Sequence, residues 1–372
     1  MPISQQCLRF ACAGLLVCGF AAAETLPDFR LLDQKGCSHT LRRYTDAKAV
    51  AIVALPPDTP AGAPQLSTLA ALAKAYADQH VLVFGITPTP SDMAPPIGPS
   101  GFTVPLLQDA GSLILPTLGL GHAFEAVLAG TEHWQVLYRG DLGGPKDGLA
   151  QALAAMTAGT ALPSAAPATG ALLALEPAPK DISYVKDVAP ILAARCAGCH
   201  SEGNVAPFAL NSHAQAVNHG KMIAETLRTG RMPPWKADPR HGTFNNTIQL
   251  STAEKRTVLA WLDQGAPKDG DTDPLAQAMP APPAGWRSGT PDVIVKLPEV
   301  QEIPAEGVLD YRHIEVPLDL PAGTWLRGAE IRVTAPQVTH HVLVYMHRPD
   351  EDIDFTQEYL ASYVPGHDPG LF

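Results

Sequence analysis

Long basic runs are missing from this 372-residue chain, and its 26 Lys and Arg face 37 Asp and Glu for a formal net charge of −11. That balance excludes a broad nucleic-acid-binding surface. Charged residues are sparse at 17%, whereas 46% are hydrophobic, so a sizeable core is available and wholesale disorder is excluded. Beyond the N-terminus no apolar stretch approaches the ~20 residues of a membrane-spanning helix. Cysteines number only 6, and no segment repeats in tandem. What the chain does have is 37 Pro and 31 Gly, implying many turns and linkers. At about 150 residues per domain, its length suits two or three domains.

The first residues carry a targeting pattern. Arg9 is the only charge before an apolar run from Phe10 to Phe20, and Ala21-Ala22-Ala23 offers small residues for cleavage ahead of Glu24. Residues 1–23 therefore read as a secretory signal peptide, with an uncleaved anchor as the competing reading. A lipoprotein signal at Cys18 is disfavoured by bulky Val17. Cleavage would remove Cys7, Cys12 and Cys18 and leave Cys37, Cys196 and Cys199. The expected location is periplasmic or secreted, where disulfides are permitted, but three cysteines do not make a disulfide framework.

Three segments follow, so the expected fold class is multidomain. In residues 24–158, Val50–Leu55 and Val81–Ile86 read as buried strands around a helix over Leu66–Ala77, a βαβ unit with a parallel pair. His133–Tyr138 reads as a later strand and Ala150–Met156 as a closing helix. An Ala- and Pro-rich linker covers 159–180. Residues 181–271 read as a small all-helical domain. Asp187 can cap a first helix that tolerates Pro190 in its first turn. Ser212 with Gln215 and Ser251 with Glu254 make capping-box patterns for two more, ending near Gly230 and at Gly265. A second Pro-rich linker, 272–285, leads to 286–372. There Asp292–Leu297, Tyr311–Pro317, Trp325–Val333 and Thr339–His347 read as strands of a partial all-β sandwich.

Cys196-Ala197-Gly198-Cys199-His200 is the strongest signal. In C-x-x-C-H two thiols can form thioethers with haem vinyl groups while the adjacent imidazole reaches the iron. Composition alone would place such a string here only about 0.003 times. A thioredoxin-like dithiol pair is the competing reading, but no strand precedes the motif. For the second axial position, Met232 in Gly230-Arg231-Met232-Pro233-Pro234-Trp235 offers a soft thioether on a Pro-stiffened loop. Met222 and His219 are the alternatives.

Tyr184–Leu192, the Cys196–His200 motif, Met232-Pro233-Pro234-Trp235 and Trp261–Pro267 together resemble class I-type c-type cytochromes, over about 90 residues. The resemblance implies haem c bound covalently at Cys196 and Cys199, ligated by His200 and Met232, with electron transfer as the activity. Pro27–Asp33, the βαβ unit and Val136–Gly140 resemble the thioredoxin-like redoxins. Members of that family carry a reactive cysteine after the first buried strand, opposite a cis-proline. Here Leu55-Pro56-Pro57-Asp58-Thr59-Pro60 has no cysteine and Phe124 stands at the proline's place, so the domain is expected to keep the fold without the activity. Cys37, in an earlier turn, reads as a bystander, or as the cysteine of a redoxin-type peroxidase.

Val338–Tyr345 holds His340 and His341 within an apolar run. Neighbours on a regular strand point to opposite faces, so both reach one metal only where the strand twists, bulges or ends. By itself the pair reads more simply as packed or exposed histidines. Trp286–Leu297, Ile303–Gly307, the His-His run and Tyr363–Gly366 resemble the N-terminal domain of copper type II, ascorbate-dependent monooxygenases, which implies His340 and His341 as copper ligands. Neither His347 nor His367 lies in that family's third-ligand motif, and Phe372 is reached before it. A fragment or a truncated gene is the expectation. The chain thus reads as an exported electron-transfer protein feeding electrons toward a copper site in an intact chain, or alternatively serving a separate donor or acceptor protein or a small reductant. No nucleic-acid partner and no stable membrane span after cleavage are expected.

Overall fold

The computed structural model describes residues 24–90, 97–143, 147–278, 285–348, 352–356, 358–365 and 370–371. The predicted signal peptide, residues 279–284 of the second Pro-rich linker and His367 lie outside them. In the first unit a short antiparallel pair, β1 (Arg30–Leu32) and β2 (Ser38–Thr40), precedes β3 (Ala49–Ala54), α1 (Pro64–Tyr76), β4 (Val81–Thr89), β5 (Leu106–Ala110), β6 (Glu125–Gly130), β7 (Val136–Asp141) and α2 (Gly148–Ala158). The five-stranded sheet runs β5-β4-β3-β6-β7, with β3, β4 and β5 parallel, and β6 antiparallel to both its neighbours. This is a βαβ unit joined to a ββα unit, the α/β arrangement that the redoxin resemblance implies.

β3 is buried along its whole length, which explains its continuous apolar sequence. Its alternation sends Ala49, Ala51 and Val53 against α1 and α2, with Leu66, Leu69, Leu149 and Leu153. Val50, Ile52 and Ala54 face the other way, under Leu26, Phe29, Ile114, Leu115 and Leu118. The strand expected at 133–138 begins three residues later. Trp134 adopts a left-handed backbone (φ 54°) inside the β6–β7 connection, so His133, Trp134 and Gln135 belong to the connection and not to the strand.

The Ala- and Pro-rich linker is not free. Ala123 N–H donates to Ala171 O (2.8 Å), Leu173 N–H to Gly121 O (2.9 Å), and Leu173 and Leu175 pack on the sheet's second core. Gly170 is what allows this strap to lie flat: a Cβ there would stand 2.0 Å from the Ala123 carbonyl oxygen. Gly170→Ala should therefore lift the strap and destabilise the protein by about 1–3 kcal/mol, read as a lower denaturation midpoint. An unchanged midpoint would mean that the strap contributes nothing.

The helical unit opens with a π-helical turn (Tyr184–Val188) running into α3 (Ala189–Arg195), followed by α4 (His213–Asn218), α5 (Gly220–Arg228), α6 (Thr252–Asp263) and the short α7 (Pro274–Ala278). Ser183, not Asp187, is the first cap. Its Oγ accepts from Lys186 N–H, while Asp187 reaches back to accept Ser183 N–H. The helix expected after Ser212 forms in two pieces that meet at His219. The Ser251–Glu254 capping box is present in both directions. Trp261 and Tyr184 are fully buried, stacked at 5.7 Å, with Trp261 Nε1 donating to Pro267 O (2.9 Å). Tyr184 in turn donates to Asp273 (2.6 Å), tying the first turn to the segment that enters α7.

The third segment corrects the expected sandwich. Its strands are β8 (Gly328–Ala329), β9 (Val342–Tyr345), β10 (Tyr359–Tyr363) and β11 (Gly370–Leu371), in two separate antiparallel pairs, β9–β10 and β8–β11. Residues 292–297 and 311–317 form no strand. Val293, Ile294 and Val295 stand about half exposed: a β-branched run holds strand geometry only against pairing strands and a facing layer, and among the described residues neither is present.

Candidate functional site

The C-x-x-C-H motif continues the turn of α3. Cys196 N–H bonds Leu192 O (3.0 Å), and Cys199 and His200 N–H groups both bond Cys196 O (3.1 and 2.9 Å). Both thiols are free. Burial pushes the Cys196 thiol up to about 12, with Cys199 and Glu254 adding to the effect, and burial also raises Cys199. A dithiol redox pair needs the opposite, a lowered thiol.

His200 is half-buried, and its Nδ1 lies 3.0 Å from the Phe208 carbonyl oxygen. A carbonyl only accepts, so Nδ1 carries the proton and Nε2 keeps its lone pair. Burial holds the imidazole below its ordinary pKa. The Phe208 hydrogen bond works against that shift and nearby His219 adds to it, so the neutral ring is favoured. The Phe208 ring lies against His200 (4.6 Å) and stacks on His219 (3.9 Å, 4°). Leu210 N–H on His200 O (2.8 Å) closes the loop. Met232 sits on the loop after α5, 43% exposed, with its N–H and that of Arg231 turned to Thr226 O (3.4 and 3.0 Å). Of the alternatives, Met222 is more exposed at 49%, and His219 has its Nδ1 on Gln215 O (2.9 Å).

In the first unit, the turn after β3 carries Pro56 and Thr59 where the family's cysteine would stand, with Thr59 Oγ1 donating to Pro56 O (2.7 Å). Phe124 lies beside it in left-handed backbone (φ 61°), its N–H donating to Ala54 O (2.7 Å). Cys37 is exposed in the β1–β2 turn, where Asp33 Oδ1 accepts its N–H (2.9 Å). Asp33 also meets His39 Nε2 (3.2 Å), and His39 Nδ1 meets the Tyr44 hydroxyl (2.6 Å).

His340 and His341 are not within a strand. They precede β9, and there their Nδ1 atoms come to 3.0 Å of each other. At a metal–nitrogen distance of about 2.0 Å, that separation subtends about 97° at a shared ion. The Tyr311 ring lies 5.6 Å from His341. Among the described residues no cluster of three or more His, Cys, Asp or Glu side chains is placed to hold a metal. β10 sets Tyr363 opposite Val342, next to the pair, and the Tyr363 hydroxyl is raised by burial and then by the Cys199 thiol.

Sequence reasoning missed the Phe208 carbonyl, which has no residue signature, and Arg256, a cation on the buried face of α6 that bonds the first unit. Arg256 donates to Gly111 O, Pro177 O and Glu176 O (3.2 Å for the last) and lies 3.5 Å from the Glu176 carboxylate.

No family model matches the chain, and no curated protein matches it either. Among solved structures, a hypothetical protein from Sinorhizobium meliloti is similar at 21% identity, over 41% of this chain and 93% of that one, with a TM-score of 0.35. Peroxidoxin BcpB from Mycobacterium tuberculosis is similar at 21% identity, over 36% and 92%, with a TM-score of 0.26. A putative thiol:disulfide interchange protein DsbE from Chlorobium tepidum is similar at 13% identity, over 32% and 82%, with a TM-score of 0.25. Among the described residues no helix is long and apolar enough to cross a membrane. The part of the chain built on the five-stranded sheet has an α/β fold, a βαβ unit joined to a ββα unit.

Proposed function

We propose that this chain is an exported haem c electron-transfer protein, with its thioredoxin-like unit serving as scaffold. The observation that carries the reading is the hydrogen bond from His200 Nδ1 to the Phe208 carbonyl. A ligating imidazole donates its other nitrogen to an acceptor, which fixes tautomer and ring orientation and raises ligand basicity. His200 already has that partner, and its Nε2 is left as the donor to iron. Cys196 and Cys199, both free, would hold the group through thioethers, and Met232 would supply the soft sixth ligand. Haem bound there would supply a one-electron iron couple. The raised thiols accord with a pair that serves as an attachment point and does not cycle as a dithiol.

His340 and His341 fit one edge of a copper shell. The pair supplies two nitrogens, and among the described residues no further His, Cys, Asp or Glu completes the shell. The two-nitrogen donor set favours, as a second reading, delivery to a separate partner protein.

Made in a host with periplasmic haem-maturation machinery, the protein should be coloured and keep its haem through acid–acetone extraction. The oxidised form should show the weak far-red sulfur-to-iron band, and Met232→Ala should abolish it and lower the midpoint potential, since a ligand favouring Fe(II) is lost. A colourless product, or haem that extracts freely, overturns the attachment. A band that persists in Met232→Ala moves the sixth ligand to Met222, and a band absent already from the wild-type protein moves it to a nitrogen donor such as His219.

A further inference from the structure

The candidate ligand loop is held from two sides, and one of them belongs to the other unit. On its own side, Arg231 donates to Glu225 (2.7 Å) and Thr229 (3.3 Å) of the preceding helix and cap, and Lys236 Nζ donates to Gly230 O (2.7 Å). On the far side stands Arg30, from β1. Its Nη2, Cζ and Nε lie 2.9, 3.5 and 3.5 Å from where a Gly230 Cβ would be, so the flat guanidinium occupies the place of that missing side chain. Gly230 is in left-handed backbone (φ 61°), two residues before Met232. The two units do not meet at this point alone. Arg256 bonds three carbonyls of the 111 and 176–177 stretches, and Leu113 packs into the helical core as well as that of the sheet.

We propose that the thioredoxin-like unit braces the axial-ligand loop, with Arg30 as the positioning residue whose guanidinium seats on Gly230 and fixes the path of Met232. The proposal rests on the assignment of Met232 as sixth ligand. It gives the unit a task that needs no cysteine: a thioether on a half-exposed loop binds iron only as firmly as the loop is held, because each freed backbone dihedral must be ordered again on ligation. The contact is one of shape. A flat guanidinium covers a Cα at van der Waals distance, whereas a lysine offers the charge without the plane.

The test uses the full haem-loaded chain with Arg30→Ala and Arg30→Lys. Arg30 is exposed, so both variants should fold with wild-type haem content. Added imidazole competes for the sixth position, and its affinity should rise at least threefold in both variants. The far-red band should weaken. A threefold loss of oxidation-state preference corresponds to a midpoint lowered by about 28 mV, at 59 mV per tenfold for one electron. Absence of the band from the wild-type protein would overturn the ligand assignment and the brace with it. A band present in the wild type, with imidazole affinity unchanged in both variants, overturns the brace alone. Full restoration by lysine overturns the seating on Gly230 and leaves only a charge effect.

Discussion

Imidazole added to the haem-loaded His200→Gly protein should restore the ligation that the substitution removes, and 1-methylimidazole should restore it less well. Deleting the side chain leaves its acceptor behind: Phe208 O, now without the Nδ1–H that lies 3.0 Å away in the wild type. That carbonyl belongs to a loop fixed independently, by Leu210 N–H on the His200 carbonyl oxygen (2.8 Å) and by Phe208 stacked on His219. Free imidazole can present one nitrogen to iron and donate the other N–H to Phe208. The methylated ring cannot donate, and its methyl group stands where the hydrogen bond would form. The acceptor is only part-buried, so leaving it unpaired costs about 1 kcal/mol, the low end for such groups, and the methylated ligand should bind about fivefold more weakly, at 1.4 kcal/mol per tenfold. Titrations followed in the visible spectrum give both constants. Equal affinities would show that Phe208 plays no part in orienting the ligand, and the observation carrying the functional reading would be lost.

The parts of this site that sequence makes legible are those written in side chains at fixed spacing. Cys196, Cys199 and His200 are of that kind, and so is the Ser251–Glu254 capping box. The Phe208 carbonyl is a backbone group eight residues downstream in an irregular loop, and only the folded path of that loop brings it to Nδ1. In the first unit, β3, α1, β4 and α2 were legible because buried parallel strands are continuously apolar and their helices are rich in Ala and Leu. β6 is an equally apolar run, Ala126–Ala129, that the sequence reading leaves without a strand, while the strand expected at 133–138 overlaps β7 but starts inside the connection, where Trp134 is buried without being in a strand. The third segment shows the converse error. Val293, Ile294 and Val295 satisfy local strand preference, but preference of that kind records how a residue fits a half-buried pleated surface, and no such surface adjoins them among the described residues.

Arg256→Ala should be strongly damaging, and its cost should grow with pH. Arg256 is a cation only 7% exposed whose partners are the Gly111 carbonyl of the first unit and, from the Ala- and Pro-rich strap, the Glu176 and Pro177 carbonyls and the Glu176 carboxylate. Removing it leaves those carbonyls without a donor in the seam between the units, a loss of about 3 kcal/mol against a total stability that for such proteins is about 5–15 kcal/mol. The pH dependence comes from Asp109. Fully buried, its carboxyl accepts N–H groups from Leu113, Ile114 and Leu115. Burial raises its pKa to about 7, while those hydrogen bonds and the Arg256 charge pull the other way. A group raised in the folded state contributes stability that is complete below its unfolded pKa of 3.8 and is lost as pH rises through about 7. Without Arg256 the carboxyl rises further, so ionising it in place becomes costlier still. The variant should therefore differ least from wild type near pH 5, where Asp109 is protonated in both folded proteins. The gap should widen between pH 6 and pH 9 in chemical denaturation. A gap independent of pH would show that Arg256 acts through its carbonyl partners alone, and a gap that narrows would mean that the Asp109 charge is not felt at Arg256.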